Sequence, residues 1–284
     1  MRILQLSDPH LLADPAGRCR GRPALALLRH GLHQALEQLR TVGESPDRLL
    51  ISGDLCHDES WGGYGQLRDL LALPPLAQLG PPLLLAGNHD HPQLLRAALG
   101  RRALVAPGLW RLDAQAPGCP AGGWSLLALD SHRSGSDGGR LESAQWAWLE
   151  ALLNGRHPGA GCGPLLVALH HPPLPIGDPL FDRIGLEEGG RLLDLLAASP
   201  RVRGVIFGHV HQHWQGALPG RPEVPVLGCP SSLCAFGPVQ PCPLGRPGDP
   251  GGRLLQLGEE GEIRHRLLRW ELPLSLIHIS EPTR

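Results

Sequence analysis

Apolar and polar positions alternate along most of the chain in two different periods. Short apolar runs, "RILQL" (2–6), "RLLIS" (48–52) and "PLLLA" (82–86), have the length and continuous hydrophobicity of strands buried on both faces. Between them, residues 22–40, 64–73 and 92–99 carry apolar side chains at helical spacing, the last stretch opened by Pro92 at a first-turn position. The alternation continues with "LWRLD" and "WSLLALD", a helix over 141–153, "PLLVALHH", a helix over 186–199 and "RVRGVIF". Strands alternating with helices predict a sheet of largely parallel strands with helices against it. After about residue 213 the helical period disappears. "HWQGAL", "VPVLG", "GRLLQLG" and "EIRHRLLRW" read as short strands joined by turns, and the expectation is a second, more antiparallel sheet packed on the first. Residues 228–252 form a long Pro/Gly-rich loop, of a length that is often functional.

Composition narrows the class. The chain has 284 residues, enough for one large core, and is read as a single domain over 1–273. All 26 basic residues are Arg, a bias of the whole composition rather than of one surface. The formal net charge of -1 gives no argument for a nucleic-acid polymer or a membrane surface as partner. No apolar run approaches the ~20 residues of a membrane span, and the N-terminus lacks the apolar region of a signal peptide. Seven Cys without a CxxC pair fit the reduced thiols of a cytoplasmic protein. The end of the chain, "LSLIHISEPTR" (274–284), matches residue for residue the translation of a common sequencing-library transposase adapter, and is expected to be a non-native tail.

The chemistry gathers just past the ends of the apolar runs. "SDPH" supplies Asp8 and His10, "SGDL" Asp54, "GNHD" Asn88, His89 and Asp90, "LHHPP" His170 and His171, and "GHVH" His209 and His211. Ligand sites of α/β sheets lie at the carboxyl ends of strands, where loops from several strands converge. Two carboxylates, one amide and several imidazoles, without a thiolate, suit Mn, Fe or Zn better than a structural zinc site. Each motif alone is weak; all five in one order, each after a strand, are not a coincidence. Cys56, close behind Asp54, reads as a packed thiol.

In this series (DxH, GDx, GNHD, HH, GHxH) the chain resembles the calcineurin-like metallophosphoesterase superfamily, most closely the bacterial class III cyclic nucleotide phosphodiesterases of the 3′,5′-cyclic-AMP type. "LALDSHRSGSDGGRLESAQWAWLEALL" and "CPSSLCAFGP" extend the resemblance beyond the metal motifs. It implies an α/β fold, a four-layer α/β/β/α sandwich of two mixed sheets flanked by helices. It implies two divalent ions, Fe or Mn with Zn as an alternative. Asp8, His10 and His211 would hold one, Asn88, His170 and His209 the other, and Asp54 would bridge them. His171 would support the ligands from behind.

The implied reaction is hydrolysis of a small phosphodiester, 3′,5′-cyclic AMP to 5′-AMP, by a metal-bridging hydroxide. Two divalent ions less two carboxylates and one hydroxide leave positive charge facing a singly charged diester, and the neutral Asn88 adds an oxygen without cancelling it. Asn88, His89 and His211 would contact substrate. His89, in the motif but not a ligand, is the candidate to stabilise the leaving oxygen, with Asp90 either orienting His89 or its neighbours or capping the helix after Pro92. Other phosphoesters (2′,3′-cyclic nucleotides, glycerophosphodiesters, phosphomonoesters) remain alternatives, as does a homodimer. A non-catalytic metal-binding regulatory protein would show an eroded ligand set, and here all seven positions are filled.

Overall fold

The computed structural model describes residues 1–112, 123–157 and 159–273. The tail read as non-native therefore lies outside the described residues.

The chain opens with β1 (Arg2–Leu6), a small hairpin of β2 (Arg18–Cys19) and β3 (Arg22–Pro23), and α1 (Ala24–Arg40). Then come β4 (Arg48–Ile51), α2 (Trp61–Leu71), β5 (Leu83–Leu84), α3 (Pro92–Leu99), β6 (Leu104–Val105) and β7 (Gly108–Arg111). The middle holds β8 (Ser125–Ala128), α4 (Ser143–Leu153), β9 (Leu165–Ala168), α5 (Gly189–Ala197) and β10 (Val202–Phe207). Four strands close the chain: β11 (Trp214–Leu218), β12 (Arg221–Gly228), β13 (Gly251–Leu257) and β14 (Ile263–Arg269).

These strands make two 6-stranded sheets, ordered β14-β13-β1-β4-β5-β6 and β11-β12-β10-β9-β8-β7. β1, β4, β5 and β6 are parallel, as are β8, β9, β10 and β12; the remaining strands pair antiparallel at the edges. Here the structure corrects the sequence reading. The strands after residue 213 do not form a second sheet of their own. They are two hairpins, β11–β12 extending the second sheet and β13–β14 the first, and the parallel strands before them already belong to two sheets.

Side-chain alternation explains the layering. Leu4, Leu49 and Ile51 point to the layer of α1, α2 and α3, while Ile3 and Leu50 point between the sheets. On the other sheet Leu127, Leu165 and Val205 pack under α4 and α5, while Leu126, Leu166 and Ile206 meet the first sheet. A strand buried on both faces is apolar at every position, so its sequence does not reveal which sheet it joins. The result is a four-layer α/β/β/α sandwich. Its parallel strands end on one edge, where the inter-sheet layer turns polar: Gln5 donates to Ser52 Oγ (3.1 Å) and to the Phe207 carbonyl (3.4 Å), stitching three strand ends together.

Candidate metal centre and active site

The loops after β1 and β4 run side by side. Asp8, His10 and Leu11 donate their backbone N–H groups to the carbonyls of Gly53, Asp54 and Leu55 at 3.1, 2.9 and 2.9 Å. The loop after β10 crosses them closely: the His209 N–H donates to Asp8 Oδ1 (3.2 Å). The segment after β12 closes the far wall, Ser231 Oγ donating to the Asp8 carbonyl at 2.8 Å.

Two glycines make this approach feasible. Gly53 has φ 105° and sits against the His170 ring, where a Cβ would come within 2.1 Å of Nδ1. At Gly87 a Cβ would lie 2.1 Å from Asp54 Oδ1, so this glycine supplies space rather than backbone freedom. The functional residues carry the unusual backbone themselves. Asp8, His10, Asp54, His209 and His211 all have left-handed φ, between 48° and 68°. Such conformations cost of the order of 1–3 kcal/mol each and persist where surrounding contacts over-determine them.

The side chains converge as the five motifs imply. Asp54 stands at the centre, Oδ2 3.6 Å from His10 Nε2 and Oδ1 3.4 Å from His170 Nε2. On one side His10 Nε2 lies 3.1 Å from His211 Nε2, which is 3.5 Å from Asp8 Oδ1. On the other, Asn88 Oδ1 lies 3.2 Å from His170 Nε2 and 3.0 Å from His209 Nδ1. Two of the far nitrogens are already spoken for. His170 Nδ1 donates to the Ser52 carbonyl (2.7 Å) and His211 Nδ1 to the Cys234 carbonyl (3.1 Å). With a proton held on that side, Nε2 of both rings is the atom offered to the centre, as in metal-bound imidazoles.

Lone pairs facing lone pairs need a cation between them. Donors about 2.1 Å from one ion lie about 3.0–3.4 Å from each other, close to the spacings here. Asp8 Oδ2 is buried with no hydrogen-bond partner. The electrostatics agree. Burial, with Asp8 adding to it, pushes Asp54 up to about 8. Burial would lower His211, yet Asp8 opposite raises it to about 10. Protons thus bind firmly where a divalent ion would sit. Burial holds His10 and His209 well below the usual imidazole value, so they are neutral donors at pH 7. The residues fit two divalent ions.

His171 differs from its neighbour. Nε2 donates to the Asp137 carbonyl (3.2 Å) and Nδ1 bonds Ser131 Oγ (2.8 Å), so neither nitrogen is left for an ion. Asp90 does not cap the helix; it holds the neighbours of His89 in place, the supporting role expected of it. It accepts from the backbone of Leu55 (3.0 Å), Cys56 (2.9 Å) and Gly87 (2.8 Å) and from the Tyr64 hydroxyl (3.0 Å), bracing the Asp54 loop against the Asn88 loop. The helix cap is His91, whose Nδ1 accepts from the Leu94 N–H. Tyr64, the chain's one tyrosine, was not singled out by the sequence; its rarity and its place in an apolar stripe were the available signal. Asn88, His89 and His57 are half-buried while the other members are buried, so the centre opens to solvent on their side. The His89 N–H donates to Asp54 Oδ1 (3.0 Å), and its ring lies 5.1 Å from that of His10 and 4.6 Å from that of His57.

A family model described as calcineurin-like phosphoesterase matches residues 1–213. The chain belongs to the calcineurin-like phosphoesterase family. Members of this family are metal-dependent phosphoesterases with a dinuclear centre, and the Asp8–His10–Asp54–His211 cluster lies within the matched segment. A probable cyclic nucleotide phosphodiesterase of Synechococcus sp. (strain WH7803) is 50% identical over 272 residues, 95% of this chain and 96% of that protein. The 3′,5′-cyclic adenosine monophosphate phosphodiesterase CpdA of Pseudomonas aeruginosa is 32% identical over 268 residues, 94% of this chain and 89% of that one. Among solved structures, a dimetal phosphatase from Danio rerio superposes with a TM-score of 0.57 over 95% of this chain and 99% of that chain, at 14% identity, a likeness of fold. No helix among the described residues is long and apolar enough to cross a membrane.

Proposed function

We propose that this phosphoesterase is a dinuclear phosphodiesterase that hydrolyses 3′,5′-cyclic AMP to 5′-AMP. The observation that carries the metal half of the reading is the convergence of carboxylate, amide and imidazole donor atoms on two points that share Asp54. Asp8, His10 and His211 hold one ion, Asn88, His170 and His209 the second, and Asp54 lies between them. Oxygen and imidazole donors without thiolate favour Mn or Fe, with Zn as an alternative. When bound, the ions activate water and offset the charge of the phosphoryl group. The substrate half rests on the relatives, which are named for cyclic nucleotides.

The protein's own residues divide the remaining work. Asn88 contributes an oxygen without charge, so the centre keeps its attraction for an anionic ester. Asp54 fixes the GNHD loop through the His89 N–H. His89, on the open side, is placed to donate to the departing oxygen. His171, Asp90 and Tyr64 hold the loops at the spacing the ions need.

Purified Mn-loaded protein assayed side by side on 3′,5′-cyclic AMP, 2′,3′-cyclic AMP, a glycerophosphodiester and a phosphomonoester tests the reading. Cyclic AMP is expected to have the highest kcat/KM. Turnover of the monoester with all diesters inert would overturn it.

A further inference from the structure

The β2–β3 hairpin turns through Arg20 and Gly21, with φ 52° and 73°. Two successive left-handed residues make a type I′-like turn, where Asn-Gly is the usual pair and Arg an awkward first member. This strained turn leans on the metal centre. Cys19 Sγ lies within 4.8 Å of ring nitrogens of His10 and His57. Arg22 donates to the Leu233 carbonyl (3.0 Å) and ties the hairpin to the wall after β12.

The turn carries the Arg20 guanidinium to 4.8 Å from the centroid of the Phe236 ring. Phe236 in turn stacks on His211, with centroids 4.5 Å apart and planes at 21°. Phe236 thus touches both the His211 ring and the Arg20 guanidinium. The column His211–Phe236–Arg20 runs from the centre to solvent and ends in an exposed cation. Exposed arginines elsewhere, such as Arg40 and Arg191, pair with carboxylates; among the described residues no carboxylate pairs with Arg20.

We propose that Arg20 is a specificity-determining residue: its outer face stacks the planar base of a nucleotide whose phosphate is held at the metal centre. The inference rests on the phosphodiesterase reading of the same site. Guanidinium planes stack on bases as aromatic rings do, and the aromatic backing by Phe236 holds the plane ready. Lysine has the charge but no plane.

Equilibrium binding of 5′-AMP and ribose 5-phosphate to the Mn-loaded protein tests this, since the two ligands share the phosphate and differ in the base. The intact protein is expected to prefer 5′-AMP. Arg20→Asn suits the left-handed turn and keeps the hairpin; Arg20→Lys keeps the charge. Both are expected to weaken 5′-AMP by about tenfold, the scale of one stacked base, and ribose 5-phosphate by much less. Equal losses for both ligands, normal 5′-AMP binding by Arg20→Lys, or no preference in the intact protein would each overturn the assignment. Failure of the phosphodiesterase reading shows separately, as absent turnover of cyclic nucleotides.

Discussion

Two histidine clusters lie near each other between the sheets, and they satisfy their nitrogens in opposite ways. Around Arg253, on β13, one guanidinium donates to His265 Nδ1 (2.9 Å), to His213 Nδ1 (3.0 Å) and to the Gly228 carbonyl (2.9 Å). Burial, reinforced by that guanidinium, pushes both rings down to about 4, so they are neutral acceptors. Every short contact has a hydrogen in it. Around Asp54 the contacts run longer, 3.0–3.6 Å, and imidazole nitrogen faces imidazole nitrogen, carboxylate or amide oxygen. Burial and imidazole chemistry are common to both clusters; the built-in cation is not. The first cluster is closed by its own arginine; the second has no arginine or lysine among its partners within the described residues, and in the proposed reading a divalent ion closes it.

The sharpest way to break that contrast is Asp54→Ala. Metal analysis is expected to fall from near two ions per chain to one or fewer, with turnover down at least about a thousandfold. Retention of both ions would show that Asp54 is not shared. His89→Ala is expected to keep both ions and lose about a hundredfold in kcat, the scale of one proton-donating group. Asn88→Ala should instead weaken one ion; if His89→Ala is the variant that strips metal, the two roles are reversed. Arg253→Met leaves three acceptors without a donor and is expected to cost about 2 kcal/mol in urea unfolding, partly offset by removal of a buried charge. Its metal content should not change, and a loss would show that the clusters are coupled.

The smallest effect is one of pH. The folded values of His213 and His265, about 4, lie below the ordinary 6.5, so the unfolding chain takes up protons first. Their contribution is complete above about pH 6.5 and is lost as pH falls toward about 4. Between pH 7 and 5 the intact protein is expected to lose more stability than Arg253→Met, by on the order of 1 kcal/mol, because the variant lacks the guanidinium's share of the shift while burial still holds the rings below the ordinary value. Equal pH slopes for the two proteins would remove the cluster from the account.

Much of the candidate centre was legible because each motif is local. Asp8 and His10, or His209 and His211, lie two positions apart on a loop whose left-handed backbone turns both side chains inward. The strand–helix rhythm likewise marked where those loops fall. The two sheets were not legible. Leu4 and Leu50, or Leu126 and Leu127, are equally apolar whichever layer they enter, so the hydrophobic pattern cannot say that β1 and β8 part company. The partners of Asp90 were only partly legible, for a related reason. Its sequence neighbours suggested a helix cap or a support for His89 and the residues beside it; Gly87 is such a neighbour, while Leu55, Cys56 and Tyr64 come from another loop and helix.

The sequence by itself determined the donor types, their order and their position after strands, and with these the family, because metal chemistry restricts which side chains can serve. The tertiary structure decided which nitrogen of each ring faces inward, which His of the adjacent pair keeps a free lone pair, and where a lone arginine meets a phenylalanine. Those depend on carbonyls and rings brought from distant segments, and no local pattern encodes them.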